Sequence, residues 1–264
     1  SFVPNGEISA AQSASRSKKD FVIFEMEHSG FSMLGLQKSL QYLLSRRDIK
    51  ESGTFAPSVV PLVRVGPEAS EISRNQGYIK QVLDYGVYGI VVPHLTSVQQ
   101  ANDIVQAVRY PQPKDSPNFE PVGLRGTAPG NAQSYWGIPE FKEYWRRAGV
   151  WPIDPDGEIL IAPLIEDVAG AEAIQDILKE VKGIGCVFIG PADLATSMGY
   201  PGQPEHPEVK KVVDGIAQVA REAGVPFGIT TNRERVEDEV QKGYQFLVTG
   251  DDVAIERGRR AGKR

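Results

Sequence analysis

Two apolar runs of this sequence stop at a carboxylate: "ILIAPLIE" ends on Glu166 and "CVFIGPAD" on Asp193. Other apolar runs stop at further polar groups. Glu25, Glu27 and His28 follow the run that begins at Phe21, Arg64 closes "VVPLVR", and His94 closes "GIVVPH". Carboxylates brought to one place repel unless a cation or a shared proton lies between them. A hard divalent cation takes oxygen ligands and keeps positions for water or substrate oxygens, so Glu166, Asp193 and a chelating substrate would suit Mg²⁺. The plainer alternatives are that Asp193 caps the helix after it and that Arg64 pairs with a neighbouring carboxylate such as Glu27.

A cation beside an arginine and a histidine has a defined chemistry. A 2-oxo acid chelates it through carboxylate and keto oxygens, and the cation then acts as a Lewis acid that stabilises an enolate. Arg64 shares the enolate charge. His28, oriented by Glu25 three residues before it, moves a proton directly or through water. The reaction is a metal-assisted aldol cleavage or condensation. Taken alone, His28 reads more simply as a hydrogen-bonded rim residue. None of the apolar runs contains a lysine, so Schiff-base chemistry has no evident nucleophile. Asp251 and Asp252 follow the last run and would repel a phosphate there.

The elements that must position these groups are short apolar runs alternating with amphipathic segments. The strand candidates are "SFVP", "FVIFEME", "VVPLVRV", "GIVVPH", "ILIAPLIE", "CVFIG", "PFGI" and "FLVTG". They are continuous rather than alternating, as strands covered on both faces are. Between them, Ala101, Ile104, Val105 and Val108 share one helical face, as do Ile174, Ile177, Leu178 and Val181. Ser97 and Gln100 have capping-box spacing, and Gly183 and Gly224 stand where helices end. Eight strand–helix units predict an α/β fold, a single-domain (β/α)₈ TIM barrel over residues 1–264, with polar strand ends converging at one rim. No dinucleotide-type glycine fingerprint follows the first strand, which disfavours an open doubly wound sheet. Residues 110–158, rich in Pro, Gly and Trp, read as a long βα excursion of the functional kind.

The remaining totals narrow the class. The chain has 264 residues, 41% hydrophobic, with a formal net charge of −5. It lacks a basic run with interleaved aromatics, which argues against a nucleic-acid partner. It also lacks an apolar stretch of the roughly 20 residues that cross a bilayer, which argues against a membrane. The single cysteine, Cys186, excludes an internal disulfide, suits a reducing, cytoplasmic compartment, and sits among core residues. The first residues carry no signal-peptide pattern and no initiator Met, so the N-terminus is read as incomplete.

With these residues on the page, the sequence resembles the HpcH/HpaI family of class II pyruvate aldolases from about Phe21 to Gly250. "EMEH" is similar to the family's Asp-x-Glu-His, "PLVRV" to its strand-end Arg, "VLDYGVYGIVVPH" to its Leu-Asp-x-Gly-Ala-x-Gly-Ile segment, and "RYPQP…GLRG" to its Tyr-Pro…Gly-x-Arg-Gly. "PLIE" and "VFIGPADLATSMGYPGQPEHPEV" match most closely. The resemblance implies a metal-dependent barrel that cleaves 4-hydroxy-2-oxo acids to pyruvate and an aldehyde. It implies Mg²⁺ or Mn²⁺, with Co²⁺ also admitted, on Glu166 and Asp193. Arg64 would contact pyruvate, and His28 with Glu25 would handle the proton. The backbone amides near Gly190, Ala192 and Asp193 would receive the pyruvate carboxylate, with His94 also lining the substrate. It further implies a homo-oligomer, a hexamer built as a trimer of dimers. The C-terminal segment, poor in apolar residues, is expected as a helix at a subunit interface.

The sequence departs from the family pattern at four positions. Glu25 stands for the usual Asp, Leu164 for a frequent Gln, and Ser29 for a usual Gly, while His94 takes a position that holds Met in some members. These departures bear on the aldehyde more than on the cation. Two other activities remain open on the same scaffold: a citrate-lyase-β-like lyase acting on acyl-CoA thioesters, and a non-catalytic barrel that binds a 2-oxo acid. No basic cluster offers itself to the phosphates of CoA.

Overall fold

The computed structural model describes residues 1–263. Among the described residues nine strands form: β1 (Phe2–Pro4), β2 (Phe21–Glu25), β3 (Val60–Arg64), β4 (Gly89–Val92), β5 (Val150–Trp151), β6 (Ile159–Ile165), β7 (Val187–Ile189), β8 (Phe227–Thr230) and β9 (Phe246–Val248). All pairs are parallel, in the order β1-β2-β3-β4-β6-β7-β8-β9, with β5 added on β6. The eight ordered strands are those expected, and they wrap into a nearly closed (β/α)₈ barrel. Phe21 of β2 stacks on Phe246 of β9, with centroids 4.4 Å apart, across the opening between first and last strands.

The helices are α1 (Ile8–Ser15), α2 (Met33–Leu43), α3 (Arg46–Ser52), α4 (Gln76–Asp84), α5 (Val98–Val108), α6 (Gly130–Trp136), α7 (Phe141–Arg147), α8 (Val168–Glu180), α9 (Pro191–Ser197), α10 (Pro207–Glu222), α11 (Val236–Gln241) and α12 (Asp252–Ala261). None is long and apolar enough to cross a membrane. The predicted apolar faces are the buried ones: Ala101, Ile104, Val105 and Val108 of α5 are sealed, as are Ile174 and Ile177 of α8. The Ser97 hydroxyl accepts the Gln100 N–H at 3.3 Å, but the Gln100 side chain turns back to the N–H of Thr96, so half of the capping box forms as predicted.

Two cores result, because a barrel strand buries both faces. One lies between strands and helices. The other fills the barrel with Ile23, Leu62, Val91, Ala162, Leu164, Cys186, Phe188, Phe246 and Val248. Leu164, where a polar residue is frequent in the family, is thus part of the apolar filling beneath the rim. Cys186 is buried and unpaired, and burial pushes its thiol up to about 12.

The excursion over residues 110–158 departs from expectation. It folds into α6, α7 and β5 and packs at the end of the barrel opposite the polar rim. Trp136 donates its indole N–H to the Gly86 carbonyl at 2.8 Å and stacks on Tyr88, both at the entry to β4. Arg125, fully buried, pairs with Asp84 at 2.9 Å and with the Tyr144 hydroxyl at 3.0 Å. Arg109, also fully buried, donates to the carbonyls of Asn118, Phe119 and Pro121 and to Asp154. A buried guanidinium needs such partners, so these arginines fasten the segment as structure. It contributes no group to the polar rim.

The C-terminal helix α12 lies on its own chain's α11, where Gly258 lets Val236 approach closely. Its charged face pairs with the segment before β2: Glu256 with Lys18, Asp252 with Lys19 and Arg259 with Asp20. Asp251, after β9, caps α12 through the Val253 N–H and pairs with Arg233 at 2.7 Å.

Candidate active site

The site lies at the C-terminal ends of β2, β3, β4, β6 and β7. Parallel register makes its first contact. Glu25 and Arg64 are partners across the β2–β3 ladder, and both side chains are only 12% exposed. Arg64 donates from Nε to Glu25 Oε2 at 2.7 Å, and its Nη2 forms an ion pair with the same oxygen. Its Nη1 lies 2.9 Å from Glu27 Oε2, and its guanidinium covers the Phe2 ring at 4.6 Å. Glu27 lies beyond the end of β2, and the turn there returns its carboxylate to the same guanidinium. The ion-pair alternative for Arg64 is therefore present, with two carboxylates instead of one. A guanidinium has five N–H groups, and the one on Nε is hydrogen-bonded to Glu25, so N–H groups on Nη1 and Nη2 remain as donors for a substrate.

Glu25 also accepts the main-chain N–H groups of Glu27 and His28, at 2.8 and 3.2 Å, and Ser29 Oγ donates to the Glu25 carbonyl at 2.6 Å. These bonds shape the turn after β2. The expected bond from Glu25 to the His28 imidazole does not form, because the carboxylate is taken up by Arg64 and the turn. The His28 ring is 65% exposed, and its nearest carboxylate is Glu27, at 3.6 Å.

From the other side come Glu166 and His94. Glu166 follows β6 and is 2% exposed, and its Oε1 accepts the His94 N–H at 3.0 Å. The His94 ring is fixed at Nδ1 by Asp167 at 2.9 Å, and its Nε2 lies 3.8 Å from Glu27 Oε1. Ligating atoms of Glu27, His94 and Glu166 all lie within 4.8 Å of one another. Glu27 and His94 thus join Glu166 as potential metal-holding groups that the sequence did not single out for that role. The signal in the sequence was the position of Glu27, just beyond the end of β2.

Asp193 stands in the first turn of α9, exposed, close enough to Glu166 to act on its charge. The cap position of α9 belongs to Gly190, so Asp193 is not the capping residue of the alternative reading. The Gly190 N–H is donated to the Ile165 carbonyl at 3.1 Å. Of the three amides expected to receive a carboxylate, those of Ala192 and Asp193, at the second and third positions of α9, lie among the helix's open N–H groups. His206 caps α10 through Nδ1, which accepts the Glu208 N–H at 3.3 Å, and stacks on Tyr200 at 3.8 Å.

The electrostatics follow from this crowding. Burial, with Asp193 and Glu27 adding to it, pushes the Glu166 carboxyl up to about 7 despite the His94 N–H and ring. Burial also raises Glu27, against the pull of Arg64, His28 and His94. Burial works against a charge on His94, but the bond to Asp167 and the charges of Glu166, Asp167 and Glu68 outweigh it, and its pKa rises. Glu27 Oε2 is buried and, although near Arg64, is out of line for a hydrogen bond. Buried carboxylates raised in this way, one with an unpartnered oxygen, form a donor set that suits a hard divalent cation.

The sequence matches the HpcH/HpaI aldolase/citrate lyase family over residues 1–255, and the chain belongs to that family. It is 31% identical over 214 residues to the 2-keto-3-deoxy-L-rhamnonate aldolase of Klebsiella pneumoniae, covering 77% of this chain and 73% of that one. It is 30% identical over 238 residues to the hydroxypyruvate/pyruvate aldolase of Sagittula stellata, covering 89% and 79%. The fold is that of an HpcH/HpaI aldolase/citrate lyase family protein from Burkholderia cenocepacia, with a TM-score of 0.76 at 24% identity over 99% of this chain and 91% of that one. The protein is accordingly an enzyme, a carbon–carbon lyase of the class II aldolase kind.

Proposed function

We propose that this chain cleaves, and in reverse forms, the bond between C3 and C4 of a 4-hydroxy-2-oxo acid, giving pyruvate or a close 2-oxo acid and an aldehyde. The observation that carries the reading is the convergence of buried Glu166 with Glu27 and His94 beside Arg64, at the C-terminal ends of the strands, where barrels of this kind carry their active sites. Glu166 and Asp193, with Glu27 beside them, would hold a divalent cation, Mg²⁺ or Mn²⁺. When bound, the cation supplies Lewis-acid polarisation of the keto oxygen.

The other roles fall to the chain's own residues. Arg64, held by its ion pairs with Glu25 and Glu27, uses its remaining N–H groups to stabilise negative charge developing on the substrate oxygen. The open amide of Ala192 at the start of α9 favours the substrate carboxylate. The exposed imidazole of His28 reaches the solvent side of the rim, where the C4 hydroxyl of a bound 4-hydroxy-2-oxo acid would lie. There it takes the hydroxyl proton during cleavage and returns it during condensation. Glu27, rather than Glu25, is the carboxylate beside that ring. A homo-oligomer is part of the same proposal, with α12 meeting a second copy through the face that its own chain leaves free.

The test is exchange of the pyruvate methyl protons in D₂O with Mg²⁺ or Mn²⁺, followed by cleavage and condensation assays over a panel of aldehydes. Exchange that depends on the metal, together with condensation, supports the reading. A thioester lyase would exchange pyruvate poorly, and a binding protein would not exchange it at all.

A further inference from the structure

Among the described residues, His94 is the one non-glycine residue with positive φ, at 57°. An L-residue held in the left-handed region is strained, and it persists only where its surroundings fix it. Here they do. The Pro93 carbonyl accepts the Ala69 N–H at 3.0 Å, and the Leu95 N–H is donated to Leu164 of β6 at 3.1 Å. Gln100 holds the N–H and hydroxyl of Thr96 at 2.9 and 3.0 Å. The Leu95 carbonyl presses on Gly170 of α8 so closely that a side chain there would collide with it. The turn doubles the chain back at the end of β4. Two successive N–H groups, those of His94 and Leu95, thereby meet β6 and the residue that follows it.

The opposite side of Glu166 is equally defined. A Cβ built on Gly190 would stand 2.6 Å from Glu166 Oε2 and 2.8 Å from its Cβ. One carboxylate oxygen is therefore held by a main-chain donor, and the other lies against a bare Cα at the start of α9, the helix that carries Asp193.

We infer that residue 94 is a positioning residue whose strained main chain, rather than its imidazole, sets Glu166 for the cation. Oε1 is occupied by the residue 94 N–H, which leaves Oε2 as the ligating oxygen. The ring's bond to Asp167 anchors the turn and engages Nδ1, and its Nε2 stands 3.8 Å from Glu27 Oε1, so both ring nitrogens are turned to carboxylates. This inference rests on the metal-site reading above.

The test is Mn²⁺ affinity without substrate, read from the free-ion EPR signal, on the full chain at a temperature where circular dichroism shows each variant folded. His94→Gly and His94→Asn both accept a positive φ and keep the N–H, so both should bind within about threefold of the parent. His94→Val resists that conformation and should bind at least about tenfold more weakly. Gly190→Ala, which displaces Oε2, should also bind at least about tenfold more weakly. If the parent itself does not bind Mn²⁺, the metal site falls and this inference with it. If the parent binds but His94→Gly loses affinity about tenfold, the ring is a ligand and the inference is overturned. Parent-like affinity in His94→Val or in Gly190→Ala overturns it as well. Should His94→Val fail to fold, His94→Gly and Gly190→Ala still decide.

Discussion

Arg64 Nε lies 2.7 Å from Glu25 Oε2, and the two residues are register partners on adjacent parallel strands. The carboxylate that follows the second apolar run therefore serves the arginine, and it serves the imidazole of His28 only through main-chain bonds in the turn. Breaking a buried pair by removing one charge costs about 3–5 kcal/mol locally and frees the survivor to move. Glu25→Gln should then resemble a weakened Arg64 variant. We expect Arg64→Ala to lower kcat by about 10²–10³-fold. Glu25→Gln should lower pyruvate proton exchange as well as cleavage, because both need Arg64 in place. Steady-state cleavage and exchange rates on the two variants check this. Full exchange in Glu25→Gln would detach Glu25 from Arg64's role.

His28 gives the opposite pattern. Its ring is exposed and touches neither Arg64 nor Glu166 among its close charge contacts. If it moves only the hydroxyl proton, His28→Ala should lose C–C cleavage by about 10²–10⁴-fold and keep pyruvate exchange near the parent rate. Thermal melting should barely change, since an exposed substitution of this kind is within about 0.5 kcal/mol. Parent-like cleavage in His28→Ala would remove the residue from the mechanism.

Much of this architecture is legible in the residues, for definite physical reasons. Strands buried on both faces cannot alternate, so runs such as 159–165 stand out, and the helices between them carry their apolar faces at 3.6-residue spacing. The rim groups Glu25, Arg64, His94, Glu166 and Asp193 could be placed because each ends such a run or follows it closely. Which of them touch is decided by cross-strand register and by turn conformation, and neither is a property of one segment. Hence Glu25 is found on Arg64 and not on the His28 ring, and Glu27 and the main-chain N–H of His94 come to the Glu166 site unannounced. The excursion over residues 110–158 misleads for another reason. Its prolines and glycines suggest a loop, whereas buried Arg109 and Arg125 organise it from positions up to 45 residues away.

Asp193 is the exposed member of the carboxylate set, so it separates binding from folding. Asp193→Ala should melt close to the parent in the presence of EDTA. Its Mn²⁺ affinity should fall by at least the roughly 10–100-fold typical when even an outer partner of a metal ligand is lost. Titration followed by EPR or calorimetry gives the answer, and parent-like affinity would take Asp193 out of the site.

Glu166 offers a test with a definite sign. Its carboxyl is pushed from 4.5 up to about 7 in the fold, first by burial. Between those values the unfolded chain has lost the proton and the folded chain keeps it, so the folded state binds more protons. Stability then falls as pH rises through that window, and the cost of the buried charge is fully present above it. Glu166→Gln keeps a carbonyl oxygen to accept the His94 N–H and removes the charge. Without metal, the variant should therefore melt a few degrees above the parent at pH 8, where each kcal/mol in a chain of this size is worth about 2–4 °C. The gap should close toward pH 5. Adding Mn²⁺ at pH 8 should raise the melting temperature of the parent and not of the variant, since a ligand bound only by the folded state stabilises it. Melting curves in EDTA and in Mn²⁺ across this range are sufficient, and a gap that does not change with pH would show that Glu166 is not the strained acid of this site.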